Sequence, residues 1–307
     1  MTSQTRALLQ IHFCVFLWGF TAILGKAITL PALPLVWWRM LLVTAALMLI
    51  RKFWIGLRKL SWRVIAIYLG IGIIVAIHWL SFYGSIKLSN ASVAATCMAL
   101  TPLFVAFIEP LFVGRRFDIR ELFFSVAVIP GVALVVGGTP AQMRFGLAVG
   151  VLSAFLAAVF GALNKRFVEH GAPLSVTGLE MAAGVVSLSL IAPVLPGTTT
   201  MFALPNRHDA ILLVLLAVGC TLVPFALSLV ALRQLSAFTT ALALNMEPVY
   251  AILLAIAFFG EQRQLMPVFY AGVAIVIAVV FSHGFLERRK KGTGTQKAHE
   301  RPTRNEC

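Results

Sequence analysis

Ten apolar runs separated by short polar segments restrict this chain more than any other feature of its sequence. Each run has roughly the 20 residues that a helix needs to cross a hydrocarbon layer of about 30 Å. A helix satisfies its own backbone hydrogen bonds, as lipid demands of a membrane-spanning segment. The runs are residues 8–28, 34–50, 64–86, 91–113, 121–138, 145–163, 174–195, 209–232, 237–259 and 266–285. The sequence therefore predicts an all-α integral membrane protein with ten transmembrane helices.

The composition indicates that lipid is the main solvent of the chain. Hydrophobic residues make up 60% of the 307 residues and charged residues only 12%, whereas charged residues are about 25% of a soluble domain. The polar ends, residues 1–7 and 286–307, are too short to build a core of their own. Any binding site is therefore expected within the helical bundle.

The basic residues predict the orientation of the chain. The formal net charge is +14, and most of the 25 Lys and Arg residues fall in polar segments on one predicted side of the membrane. Because short basic loops stay in the cytoplasm, we expect a multi-pass protein of the cell inner membrane with both termini cytoplasmic. The basic segments lack interleaved aromatic residues, so we expect contact with the lipid bilayer and no nucleic-acid partner.

The two halves of the chain resemble each other in an ordered series of positions. Lys26 recurs as Lys165, 139 residues later. Near the end of each half, the run GVALVV at 131–136 is matched by GVAIVI at 272–277, 141 residues later. Low complexity produces single matches of this kind but not an ordered series, so the sequence predicts an internal repeat.

The repeat predicts the architecture. Residues 8–138 form a first five-helix repeat and residues 145–285 a second, flanked by an N-terminal segment, 1–7, and a basic tail, 286–307. Because five is odd, the second repeat enters the membrane in the opposite sense. Inverted repeats around a site at the bilayer midplane are typical of secondary transporters with alternating access.

Several short motifs in this order resemble a known family. They are Leu17-Trp18-Gly19-Phe20, Pro34-Leu35 followed by Arg39, and Asn245-Met246-Glu247-Pro248 leading to Gly260-Glu261. Across residues 8–285 the chain resembles the EamA-type permeases of the drug/metabolite transporter superfamily. The resemblance implies ten helices around a central cavity, and export or exchange of amino acids or other metabolites. One position departs from the family, because Gly114-Arg115 stands where members often carry Gly-Glu.

Ionisable residues at membrane depth are costly, so they are the first candidates for a site. Glu247 lies mid-span beside Asn245, before Pro248, whose ring leaves a backbone carbonyl free. It is predicted to bind substrate or a proton, or else to hold the bundle together. Arg39 presents a planar fork suited to carboxylates. It is predicted to bind an anionic group, to pair with an acidic neighbour, or to extend toward the interface.

His78, Trp79 and Tyr83 are spaced to form a polar and aromatic cavity wall. His78 titrates near neutral pH, so it is a candidate for proton coupling alongside Glu247, or a satisfied structural group. Weaker cavity candidates are Trp18, Tyr250 and Asn164. Structural or interfacial roles are predicted for Glu109, Glu180, Lys26 and Lys165, and helix bending for Pro102, Pro110 and Pro248.

The sequence carries no phosphate-binding loop, no HExxH motif and no nucleophile motif. We therefore expect no enzymatic activity, no cofactor and no metal, and a small-molecule substrate with protons as the candidate coupling ion. The alternatives are an intramembrane enzyme, or a multispan scaffold or receptor. The oligomeric state and the substrate are left open.

Overall fold

The computed structural model describes residues 2–114, 126–194, 201–244 and 246–279, with single positions at 116, 117, 119, 123 and 282. Helices dominate these ranges, and the prediction of an all-α membrane fold is confirmed. The helices are α1 (Ser3–Ala27), α2 (Ala32–Met48), α3 (Arg51–Leu57), α4 (Trp62–Leu88), α5 (Ala91–Met98), α6 (Thr101–Val113), α7 (Ile129–Gly138), α8 (Arg144–Phe167), α9 (Pro173–Ile191), α10 (Arg207–Leu232), α11 (Ala237–Leu244), α12 (Met246–Phe259) and α13 (Pro267–Val279).

Six helical segments within the described ranges are long and apolar enough to cross a membrane: α1, α4, α5 with α6, Ala141–Phe167, Pro173–Val194 and α10. A seventh consists of α2 and α3, which meet at a bend of 89°. The helices α7, α12 and α13 are apolar but shorter. The count of ten spans stays a prediction.

The fourth span of each predicted repeat carries a proline at an equivalent place. Pro102 lies in the first turn of α6 and follows the end of α5, while Pro248 lies in the first turn of α12. Pro110 stands inside α6. Both spans end at a glycine with positive φ, 75° at Gly114 and 61° at Gly260, the backbone conformation that commonly closes a helix.

The last helices of the two predicted repeats, α7 and α13, cross at a pair of small residues. A Cβ atom added to Gly131 would lie 2.9 Å from the carbonyl oxygen of Gly272, and one added to Gly272 would lie 2.5 Å from that of Gly131. Close backbone approach through glycines is how helices pack in lipid, where apolar side chains gain little from leaving their solvent. The matched motifs GVALVV and GVAIVI therefore meet in space.

The middle of α10 is a π-helix over Leu215–Leu222. The Thr221 hydroxyl donates to the carbonyl of Leu216, five residues back, at 2.7 Å. Pro224 follows two residues after this segment and has no N–H with which to continue the helical ladder. Wide turns of this type are frequent at functional sites, and this one faces Arg39 of α2.

Candidate functional site

A cavity of about 120 Å³ lies between helices of both predicted repeats. Its polar lining consists of Thr21, Arg39, His78, Thr101, Asn164, Ser228, Thr240 and Glu247. Its aromatic lining consists of Trp18, Trp79, Phe82, Phe160 and Phe225. A mostly apolar wall with a few convergent polar groups is typical of a small-molecule site.

Six residues singled out from the sequence line this cavity: Trp18, Arg39, His78, Trp79, Asn164 and Glu247. Tyr83 and Tyr250 are not among the residues that line the cavity. The Tyr83 hydroxyl bonds Arg39, and Tyr250 packs its Cβ on Gly19 and its ring on Phe16 at 5.9 Å. Asn245 lies outside the described residues.

Arg39 is held in place by neutral groups. It is 1% exposed. Its Nε donates to the Thr221 hydroxyl at 2.6 Å and its Nη1 to the Tyr83 hydroxyl at 2.7 Å. Its guanidinium carbon lies 3.7 Å from the centre of the Trp79 ring, a favourable position for a cation. Of the described carboxylates, none forms an ion pair with Arg39, so its charge is oriented but not neutralised.

The wide turn of α10 supplies a further contact to Arg39. Its Nη2 lies 3.5 Å from the carbonyl oxygen of Cys220, within the π-helical segment. The three donor contacts fix the plane of the guanidinium. Since the group has five N–H donors, two are left for another acceptor.

Glu247 lies next to Pro248 in the helical segment Met246–Phe259. Glu247 and Arg39 line the same cavity, and each is within electrostatic range of the other. They do not form an ion pair in this conformation. Two opposite charges therefore face one cavity with space between them.

His78 has hydrogen-bond partners on α8. Its Nδ1 lies 2.8 Å from the carbonyl oxygen of Ser153 and 2.9 Å from the hydroxyl of the same residue. A carbonyl only accepts, so Nδ1 carries the proton and Nε2 of the neutral ring is an acceptor. The ring also packs against Phe160, with centroids 5.2 Å apart.

The cavity extends toward the end of the bundle that carries Lys165. Asn164 and Leu232 line it, and the Nζ of Lys165 donates to the Leu232 carbonyl at 2.6 Å. The cavity lining therefore reaches the residues that neighbour Lys165 in sequence and in contact.

The opposite end is closed by a cluster around Glu261 that sequence reasoning noted only as part of a motif. We call it the Glu261 latch; it consists of Lys26, Ala91, Ser92 and Glu261. The fully buried Glu261 carboxylate lies 2.5 Å from the Nζ of Lys26. It also accepts from the backbone N–H of Ala91 at 3.1 Å, and from the N–H and hydroxyl of Ser92 at 2.8 and 2.6 Å.

The other ionisable residues assigned structural roles from the sequence are also buried. Glu109 is 1% exposed in α6. Glu180 is fully buried in α9, and neither of its carboxyl oxygens has a hydrogen-bond partner. The cavity hydroxyls of Thr21, Thr101, Ser228 and Thr240 were not singled out, because isolated Ser and Thr residues occur in most of the apolar runs.

A family model described as the EamA-like transporter family matches the chain twice, at residues 5–137 and 144–285. The chain belongs to this family. The two matches show that the family fold is present as two repeats.

A relative of this family member is the "Uncharacterized transporter YyaM" of Bacillus subtilis (strain 168), which is 24% identical over 306 residues, covering 94% of this chain and 99% of the relative. A solved structure described as "Crystal structure of protein" superposes with a TM-score of 0.68 at 16% identity, covering 94% of this chain and 99% of that one. Family and relative point to a membrane transporter, and the solved structure supports the fold.

Proposed function

We propose that this protein is a secondary transporter that exports or exchanges small metabolites, such as amino acids or related compounds, by alternating access. The observation that carries the proposal is the pair of opposite charges, Arg39 and Glu247, that face one cavity without pairing. Such an arrangement suits a zwitterion, whose carboxylate would take the two remaining donors of Arg39 and whose ammonium group would face Glu247.

The size and lining of the cavity support a small solute. About 120 Å³ is below the roughly 300–1,000 Å³ of sites for drug-sized ligands. Trp79 and Phe225 offer apolar surface beside the charges. A solute with one charged end and a short apolar body matches this surface.

The two ends of the bundle support alternating access. The Glu261 latch closes one end, while the cavity extends to the residue next to Lys165 at the other. The basic residues predict that the Lys165 end is cytoplasmic. The conformation is then inward-facing, and an inverted repeat would form the outward-facing state by exchanging the roles of its halves.

Transport is tested by loading cells that express the wild type with a panel of amino acids and related metabolites, and measuring efflux. We expect Glu247→Gln and Arg39→Gln each to reduce the efflux of the transported solute about ten-fold or more, because a hydrogen bond to a charged group contributes about 1.5–3 kcal/mol. Glu169→Gln, which removes a carboxyl group 68% exposed on its side chain, is the matched control.

Protein levels in the membrane are compared by immunoblot, and each purified variant is checked for a monodisperse elution profile. Equal efflux from the wild type and both charge variants would reject the assignment of Arg39 and Glu247. If no compound of the panel leaves the cells, the result would count against the proposed transport activity.

A further inference from the structure

Glu180 is a buried ionisable group that the proposed substrate site does not use. It lies in α9 with 0% exposure, and neither carboxyl oxygen has a hydrogen-bond partner. The helix α9 approaches α4 so closely that a Cβ atom on Gly72 would overlap the backbone of Glu180. Tight packing on this side leaves no room for a long basic side chain beside Glu180.

Two other polar groups near Glu180 are also left without partners. Thr177 lies three residues earlier, on the same face of α9, and its buried hydroxyl has no partner. The side chain of Asn164 on α8 is close enough to interact with the Glu180 carboxyl, although no hydrogen bond of good geometry joins them. The Oδ1 of Asn164 is buried and unpartnered as well.

Asn164 connects Glu180 to the cavity. It lines the cavity while interacting with the carboxyl behind it. A single side chain, that of Asn164, therefore lies between the cavity and the Glu180 carboxyl group. An unpartnered acid placed one side chain behind a transport cavity differs from a structural carboxylate, which would have donors of its own, as Glu261 has.

The charged and titratable groups on the surrounding helices do not neutralise Glu180. Tyr68 of α4 lies within electrostatic range, but its hydroxyl donates to the Phe167 carbonyl at 2.6 Å. Arg233 at the end of α10 lies within electrostatic range of Tyr68, and its Nη2 donates to the Gly171 carbonyl at 2.9 Å. Among the described charged groups on α2, α3, α8 and α10, none forms an ion pair with Glu180.

A carboxylate buried without a cation or donor is far more costly than the neutral acid. We infer that Glu180 is a proton-binding site, which exchanges its proton with cavity water that enters past the side chain of Asn164. The proton is the ligand that fits, because Glu180, Asn164 and Thr177 present fewer oxygens than the six that a hard metal cation requires. When the cavity opens and water reaches Asn164, the carboxyl can release the proton.

Proton binding does not depend on the proposed transport function, but coupling to substrate movement does. If transport occurs, a neutral Glu180 in one conformation and an ionised Glu180 in the other would link the two conformations to pH. The inference therefore has one test that needs no substrate and one that does.

The first test uses the purified full-length protein in lipid nanodiscs. Infrared difference spectra between acidic and alkaline pH report the carbonyl stretch of protonated carboxyl groups. We expect the wild type and Glu169→Gln to share a band that Glu180→Gln lacks. Identical spectra for the wild type and Glu180→Gln would overturn the inference.

A second variant keeps the test decisive if Glu180→Gln fails to fold. Asn164→Leu retains the acid and replaces the connecting amide with an apolar side chain of similar size. We expect the acid band to persist but its shift on transfer to deuterium oxide to slow many-fold. A shift at the wild-type rate would show that water does not reach Glu180 past Asn164.

Coupling is tested in proteoliposomes with the solute identified by efflux. We expect an imposed pH gradient to drive solute movement through the wild type, and that gradient dependence to be lost in Glu180→Gln. Gradient dependence that survives in Glu180→Gln would reject coupling through this residue. A titrating band in a protein that moves no solute would instead uphold proton binding and reject the proposed function.

Discussion

The two ends of the bundle are held together by different sets of polar contacts. At the Lys26 end, buried carboxylates accept from backbone N–H groups: Glu261 binds the N–H groups that begin α5, and Asp209, in the first turn of α10, binds the N–H and hydroxyl of Thr29 between α1 and α2. At the same end, the Nζ of Lys87 donates to the carbonyl of Ile28. At the Lys165 end, basic side chains donate to carbonyls at helix C-termini. These bonds are Lys165 to Leu232, Arg166 to Phe112 and Arg233 to Gly171.

The two ends differ in how strongly their polar contacts hold the helices together and in how easily water reaches those contacts. Both arrangements complement the helix dipole, but a fully buried carboxylate loses much more when its partners leave than a partly exposed lysine does. The two halves of the sequence also differ at this position, since the residue of the first repeat that is equivalent to Glu261 is Arg115. We conclude that the Lys26 end is the stronger closure in this conformation, and the Lys165 end the weaker.

The largest expected loss in the free energy of unfolding is that of Glu261→Gln. The substitution leaves Lys26 without its anion and the amides of Ala91 and Ser92 with a weaker acceptor. We expect the free energy of unfolding to fall by about 3 kcal/mol or more, measured by chemical denaturation in detergent micelles. Glu169→Gln, whose carboxyl lies 4.0 Å from the Nε of Arg233, should change it by less than about 1 kcal/mol. Equal losses for the two variants would contradict the comparison.

A smaller effect is expected for Asp209→Asn at the same end. Asp209 accepts from the N–H of Thr29 at 2.9 Å and from its hydroxyl at 2.6 Å. Loss of the charge should reduce the free energy of unfolding by about 2 kcal/mol. A double-mutant cycle with Thr29→Ala measures the coupling between the two side chains. Additive losses would show that this contact contributes nothing to the closure.

The smallest effect is expected for Lys165→Met at the other end. The carbonyl that Lys165 binds belongs to Leu232, which lines the cavity, so water can replace the lost donor. We expect a loss of about 1 kcal/mol in the same denaturation experiment. A loss as large as that of Glu261→Gln would mean that the two ends are closed equally strongly.

The sequence predicted the elements of this fold because apolar length and small-residue motifs are local signals. The two repeats were predicted from matches such as GVALVV and GVAIVI, and the family model matches the chain twice. The sharp bend between α2 and α3 was not predicted, because the second run was extended to Ile50. The π-helical turn of α10 has no periodic signature in the sequence.

The candidate site was harder to predict because its contacts are distant in the sequence. Arg39 was assigned three alternative roles, and it bonds Thr221, 182 residues away, which no local pattern indicates. Tyr250 was predicted in the cavity wall, but the missing side chain of Gly19 lets it pack against α1 instead. Glu180 was given a structural role, since only the packed structure shows that both of its oxygens lack partners.

The Glu261 latch also has a consequence for biosynthesis. Lys26 and Glu261 are 235 residues apart, and the chain is made from its N-terminus. The first repeat therefore enters the membrane with no anion for Lys26 or for the amides at the start of α5. This end can close only after nearly all of the second repeat has been synthesised, so a truncated chain keeps a partly buried lysine without its carboxylate partner.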